Sequence, residues 1–337
     1  MSVKEANIIK NPERDIKRKG KKMQIFQQTI KMGIGCSGIG LHSGKKVRMN
    51  LKPAPPDTGI LFKRIDIGED CIIAAHVSNL DNVNYASTLR QNGYEVRTVE
   101  HLLAALMGLG IDNLIVEIDS PEIPIMDGSA VPFVFLIHEA GILQQDKLRK
   151  YLKIKRTIKV GEKDKFIKVI PDDQFRISYS IAFDHPVIGS QRASYICDEE
   201  IFSTKISRAR TFGFLSEIKE LRKMGLTKGG SLDNAVVIDD YRILNGNLRY
   251  KDEFVCHKII DAMGDLYLLG YPVIGHIVAY RTGHGLHATL VDKILKNQNR
   301  WELVTYNQFE DNLDMISVTD HPVERDFSQK DLSVQIA

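Results

Sequence analysis

Apolar and polar positions alternate over residues 24–30 and 46–51, and a period of two is the mark of a strand with one buried face. Glycines at 33, 35, 38 and 40 read as the connection between these strands, and Pro53, Pro55 and Pro56 as the stop of the second. The glycine-rich run looks like a phosphate-cradling loop, but no helix follows it, so it is better taken as a hairpin. The pattern then changes to helical period over 98–108, with Thr98 as N-cap, and to a buried strand over 113–118. A second helix is predicted over 130–141, and a charged stretch over 145–155 leads into new strands.

The second half repeats the order. Strands are expected around 152–184, a helix over 211–224, a strand over 234–238 and a long helix over 252–269. The last strand is placed at 275–280, followed by a helix opening near Thr282-Gly283-His284-Gly285. Runs of strands with helices grouped between them argue for α+β layers rather than strict β-α-β alternation. A chain of 337 residues exceeds what one core usually organises. The division expected is a basic extension (1–22), domain I (23–148), domain II (149–305) and a C-terminal tail (306–337).

Composition narrows the classes. With 43% hydrophobic and 26% charged residues the chain can fill real cores and stay dissolved. The net charge of +3 is small, and much of it sits in the run Lys17, Arg18, Lys19, Lys21, Lys22, which reads as a solvated leader. No folded stretch is basic enough for a nucleic-acid partner. Cys36, Cys71, Cys197 and Cys256 form no Cys-x-x-Cys pair, against both a disulfide framework and a thiolate metal site. With no stretch of about twenty apolar residues and no signal region, the expected location is the cytoplasm, with at most passing contact at a membrane surface.

Candidate chemistry is concentrated on three segments. His257 and Asp261 are four apart on the long helix and share one azimuth. Imidazole and carboxylate suit zinc, although the same pair is also an ordinary helix ion pair. Glu100-His101 opens the earlier helix, where the N-terminal partial charge favours an ionised carboxylate able to accept a proton. His101 is a third candidate ligand, or the pair is a capping acid beside a half-buried histidine. His284, between glycines, is a usable acid for an amine leaving group, and Asp265 is either its partner or a solvated helix-end carboxylate. Nothing assigns His287 a role, and Cys256 is turned away from His257 into the core.

Seven ordered segments carry a resemblance: Gly38-Ile39-Gly40-Leu41-His42-Ser43-Gly44, Thr98-Val99-Glu100-His101-Leu102, Pro121 to Ala130, Ser207 to Phe214, Gly229 to Ala235, His257 to Leu266, and Thr282-Gly283-His284. Together they resemble the UDP-3-O-acyl-N-acetylglucosamine deacetylases, over about residues 24 to 300. The resemblance implies two similar two-layer domains, each a helix layer on a mainly antiparallel sheet, packed through the helix layers with the site between them. It implies one zinc ion on His101, His257 and Asp261, with Fe2+ the other ion this set accommodates. Glu100 would be the general base, His284 the acid held by Asp265, Thr211 the donor to the oxyanion, and Lys258 a catalytic cation. Phe212, Arg281 and Leu89 would touch substrate, Arg281 standing where the family often has Lys and Leu89 lying in a segment, 87–93, that departs from the family's pattern.

The activity implied is hydrolysis of an N-acetyl amide on a UDP-linked acylated glucosamine, the committed step of lipid A synthesis in Gram-negative bacteria, by a monomer acting on a small molecule. Its pH profile would be bell-shaped. Two rivals share the residues: a non-haem iron oxygenase with the same facial triad, a class mostly carried on closed barrels, and a non-catalytic nucleotide-sugar-binding module.

Overall fold

The computed structural model describes residues 23–68, 70–306 and 315–317. The basic run at 17–22 and tail positions 307–314 and 318–337 lie outside the described residues. The first half is built on a five-stranded sheet in the order Ile34–Ile39, Lys46–Pro53, Leu114–Ile118, Ile60–Arg64, Ile72–Ala74. Its pairs are antiparallel except Ile60–Arg64 beside Leu114–Ile118. Val47, Met49 and Leu51 point inward and their neighbours outward, as the pleat requires.

The glycine-rich run is not a connection but the strand Ile34–Ile39 itself, paired in register with Lys46–Pro53. Its small residues are there for clearance, since a Cβ on Gly38 would meet Pro124 and one on Gly40 would meet Glu122. A glycine strand lacks the branched residues by which strands are usually read, which is why it looked like loop. The charged stretch is likewise strand: Ile142–Leu148 returns to pair with Phe26–Ile30, and Tyr151–Ile154 enters the other sheet.

That second sheet has eight strands. Val273–Tyr280 runs through it, antiparallel to Lys165–Ile170 and parallel to Phe175–Ala182 and to Tyr151–Ile154. It is not the last strand, because Trp301–Tyr306 and Met315–Ser317 follow it. Ser190–Ile196, a strand the sequence did not announce, pairs with Phe175–Ala182. Both main sheets are mainly antiparallel and neither closes into the barrel on which oxygenases with such a triad are mostly carried.

The helices are α1 (Glu100–Leu109), α2 (Val131–Ala140), the single turn α3 (Glu199–Ile201), α4 (Leu215–Lys223), α5 (Glu253–Tyr267) and α6 (His284–Lys296). Two starts differ from expectation. Thr98 does not cap α1, since its hydroxyl donates to Glu122 Oε1 at 3.1 Å and its φ is +57°. The 211–224 segment begins as the strand Phe212–Phe214, parallel to Val236–Ile238, before turning helical.

Every residue of α5 except Lys258 is buried, because α1 and the second sheet cover its faces. A helix buried all round must partner each polar group it carries. The crossing with α1 is tightest at Gly264, where a Cβ would run into the Glu100 carbonyl. At the far end the Tyr267 hydroxyl donates to the Ile111 carbonyl just beyond α1. No helix among the described residues is long and apolar enough to cross a membrane.

Gly264→Ala is expected to force the two helices apart and to destabilise the fold by about 1–3 kcal/mol, the usual cost of overpacking. Thermal unfolding checks this, and a melt superimposable on the wild type would show that the crossing relaxes freely.

Candidate active site

On α5, His257, Asp261 and Asp265 follow one another at helical intervals of four, and the first turn of α1 is pressed onto the same face through Gly264. His101 is thereby brought to the α5 pair. His257 Nε2 lies 3.3 Å and His101 Nε2 3.7 Å from Asp261 Oδ1. The two rings meet edge to face with centroids 4.9 Å apart. Ligand atoms around a tetrahedral ion at about 2 Å are roughly 3.3 Å from one another, so this spacing suits one small divalent cation. All three residues are buried and form a group that could hold a metal ion.

The protonation states agree with ligation. His257 Nδ1 lies 3.1 Å from the Ala209 carbonyl, which can only accept, so the proton sits on Nδ1 and Nε2 keeps its lone pair. Burial drives the His257 pKa down to about 3 against the pull of Asp261, which keeps the ring neutral. Lys258 Nζ donates to Asp261 Oδ2 at 2.8 Å, leaving Oδ1 for the shared point. Burial opposes the Asp261 charge, but the Lys258 cation and the donors around the carboxylate outweigh it and hold the carboxyl well below its usual range.

Glu100 begins α1 and is 3% exposed, with Oε2 accepting from the Ser87 amide at 3.1 Å. Helix-terminal charge was expected to keep it ionised. Burial instead dominates and raises its pKa, with His284 and His101 opposing.

Asp265 is not a solvated helix-end acid: it is 2% exposed. Its Oδ2 accepts from His284 Nδ1 at 2.7 Å and from His287 Nδ1 at 2.8 Å, and its Oδ1 from the Ser87 hydroxyl at 2.5 Å. Burial works against this charge, yet His284 and the donors bring the carboxyl down to about 2. For His284, burial disfavours the cation, but the charge and hydrogen bond of Asp265, helped by Asp261 and Glu100, lift the pKa to about 10.

Around this centre, Thr211 precedes the strand Phe212–Phe214 and is held by its amide on the Gly128 carbonyl at 2.7 Å. The Phe212 ring lies 6.2 Å from that of His257, with Lys258 Nζ 5.6 Å over it. Lys258 and Arg281 line a cavity of about 480 Å³ together with Lys165, Phe183 and Thr282. Leu89, expected at the substrate, is instead fully buried in the apolar core, so no ligand reaches it without opening the sheet. Its strand, Thr88–Gln91, turns Leu89 inward, which the linear sequence did not reveal. A larger cavity of about 1200 Å³, lined by Gln27, Asp57, Arg149 and Tyr267, includes none of these site residues.

Sequence reasoning missed Ser87, Tyr179, Thr282 and His287. The clue available for His287 was its spacing of three from His284, which puts both on one face of α6.

A triad able to hold a cation, a buried carboxylate beside it and an imidazole fixed by a second carboxylate together suit hydrolysis of an amide. The chain matches the family described as LpxC, UDP-3-O-acyl N-acetylglycosamine deacetylase, over residues 27–296, and belongs to it. It is 49% identical to the UDP-3-O-acyl-N-acetylglucosamine deacetylase of Saccharophagus degradans over 85% of this chain and 95% of that one. The enzymes of the same name from Histophilus somni (47%) and Teredinibacter turnerae (49%) match over the same shares.

Because Asp265 is what raises His284, the His284 cation persists as pH rises until its elevated pKa is passed. Asp265→Asn removes that support, so His284 should lose its proton at clearly lower pH than in the wild type. Titration of the ring nitrogens by NMR checks the direction, and an unmoved His284 would disconnect the two residues.

Proposed function

We propose that the chain hydrolyses the N-acetyl amide of a UDP-linked, 3-O-acylated glucosamine, releasing acetate and the free amine, in the cytoplasm of a Gram-negative bacterium as the committed step of lipid A synthesis. The observation that carries this is the convergence of His101, His257 and Asp261 on one point, with Glu100 beside them and His284 gripped by Asp265. Names and coverage of the relatives support the substrate class. On this reading the chain divides near residue 148 into two domains with the site between them, and it works as a monomer.

His101, His257 and Asp261 would hold zinc. A bound ion of that kind supplies polarisation of a water molecule, whose pKa can approach about 7. The remaining chemistry belongs to the chain. Glu100 stands next to the triad and accepts a proton from the attacking water. The Thr211 hydroxyl donates to the oxygen on which negative charge develops. An amide nitrogen leaves poorly as an anion, so His284 delivers a proton to it as the carbon–nitrogen bond breaks. Asp265 keeps that imidazolium oriented, and Lys258 and Arg281 meet the anionic diphosphate from the cavity they line, with Phe212 packing towards the uridine end.

Metal analysis of the purified protein coupled to acetate release from the UDP-sugar tests the proposal. One zinc ion per chain is expected, with hydrolysis that survives anaerobically and stops on chelation. Glu100→Ala and His284→Ala should each lower kcat by roughly a hundredfold or more while the metal is retained. His257→Ala should lose the metal itself. Wild-type turnover in either of the first two variants would remove that residue from its role, and bound substrate with no acetate formed would favour a binding module.

A further inference from the structure

We propose that His287 is a positioning residue for the acid: neutral, with its proton on Nδ1, it donates to the same Asp265 oxygen that grips His284 and so sets how strongly that carboxylate holds the acid's proton. This deepens, and rests on, the assignment of His284 as acid.

The contact with Asp265 fixes a proton on Nδ1 of His287, and burial decides the state of Nε2. Asp265 Oδ2 is an acceptor 2.8 Å from Nδ1, so that nitrogen carries hydrogen. Nε2 points away from the site towards the Tyr179 hydroxyl at 3.1 Å and the Thr282 hydroxyl at 3.0 Å. The Tyr179 hydroxyl, 2.9 Å from the Thr282 carbonyl and 2.6 Å from the Thr282 hydroxyl, donates to these oxygens, and the Thr282 hydroxyl in turn donates to Nε2. Every polar atom of the small network is then satisfied with an uncharged ring. A second cation is opposed by complete burial and by the His284 ring, whose centroid is 6.1 Å away. Burial is also the main force lowering the His287 pKa. With no exposed surface and with Nε2 committed to the interior, His287 cannot reach substrate as an alternative acid.

The charged and titratable groups facing His284 are Asp265 and Asp261 from α5, Glu100 from α1 and His287 from its own helix. Those facing His287 are Asp265, Asp261, His284 and Tyr179. Of these, Asp265 alone touches both rings. A carboxylate whose charge is shared among Ser87, His287 and His284 grips the imidazolium less tightly than one facing His284 alone. Withdrawing the His287 donor therefore concentrates the carboxylate's charge on His284, which then gives up its proton less readily.

His287→Phe keeps a ring but removes the donor, and His287→Asn keeps an N–H near the position of Nδ1. We expect His287→Phe to lower kcat about tenfold, the usual scale for a supporting hydrogen bond behind a working group, with KM unchanged and the alkaline limb of kcat moved to higher pH. His287→Asn should restore both. Ring-nitrogen NMR of the wild-type protein should show His287 as the neutral Nδ1–H tautomer at neutral pH. An alkaline limb in His287→Phe that coincides with the wild type, or a proton on Nε2 of His287, would overturn the proposal. The NMR measurement needs no turnover, so it stands apart from the role of His284, which His284→Ala tests separately.

Discussion

Where α5 crosses α1, Gly264 lets one helix backbone rest directly on the Glu100 carbonyl of the other, and the charged groups of the site take their places from that contact. A side chain at Gly264 would hold the helices apart by the width of a methyl group, and ligand positions tolerate only a few tenths of an ångström. The crossing delivers Glu100 and His101 from α1 onto the face of α5 that already carries His257, Asp261 and Asp265. It also seals them from water, which makes each charge sensitive to its neighbours.

Burying so many ionisable groups is costly unless charges alternate and each has donors. Here carboxylates and cations interleave: Lys258 against Asp261, His284 against Asp265, and Glu100 between the triad and His284. The same interleaving separates neighbouring imidazoles into different states. His257, bonded to a carbonyl and covered by core, stays neutral, while His284, bonded to a carboxylate, is driven towards the cation. A neutral imidazole and a cationic one thus arise from one residue type by environment alone. His287 belongs to this system as a third kind of imidazole, touching the same carboxylate as His284 yet turned into the interior.

Periodicity and residue identity carried far in this chain. Alternation located the strands around Val47 and Leu114, spacing of four put His257 and Asp261 on one face, and ordered motifs pointed to the deacetylase family that the comparisons bear out. These are local or additive properties, written in neighbouring residues or in the order of motifs. What the tertiary structure alone decided is where other distant segments meet: Ser87 on both Glu100 and Asp265, Leu89 inside the core, and the glycine run as a paired strand. The ionisation of Glu100 shows why. A helix terminus is legible in sequence and argued for a charge, whereas burial, which dominates, depends on every element packed around that carboxylate. Long-range contacts and the desolvation they impose are properties of the assembled chain, so no window of neighbouring residues contains them.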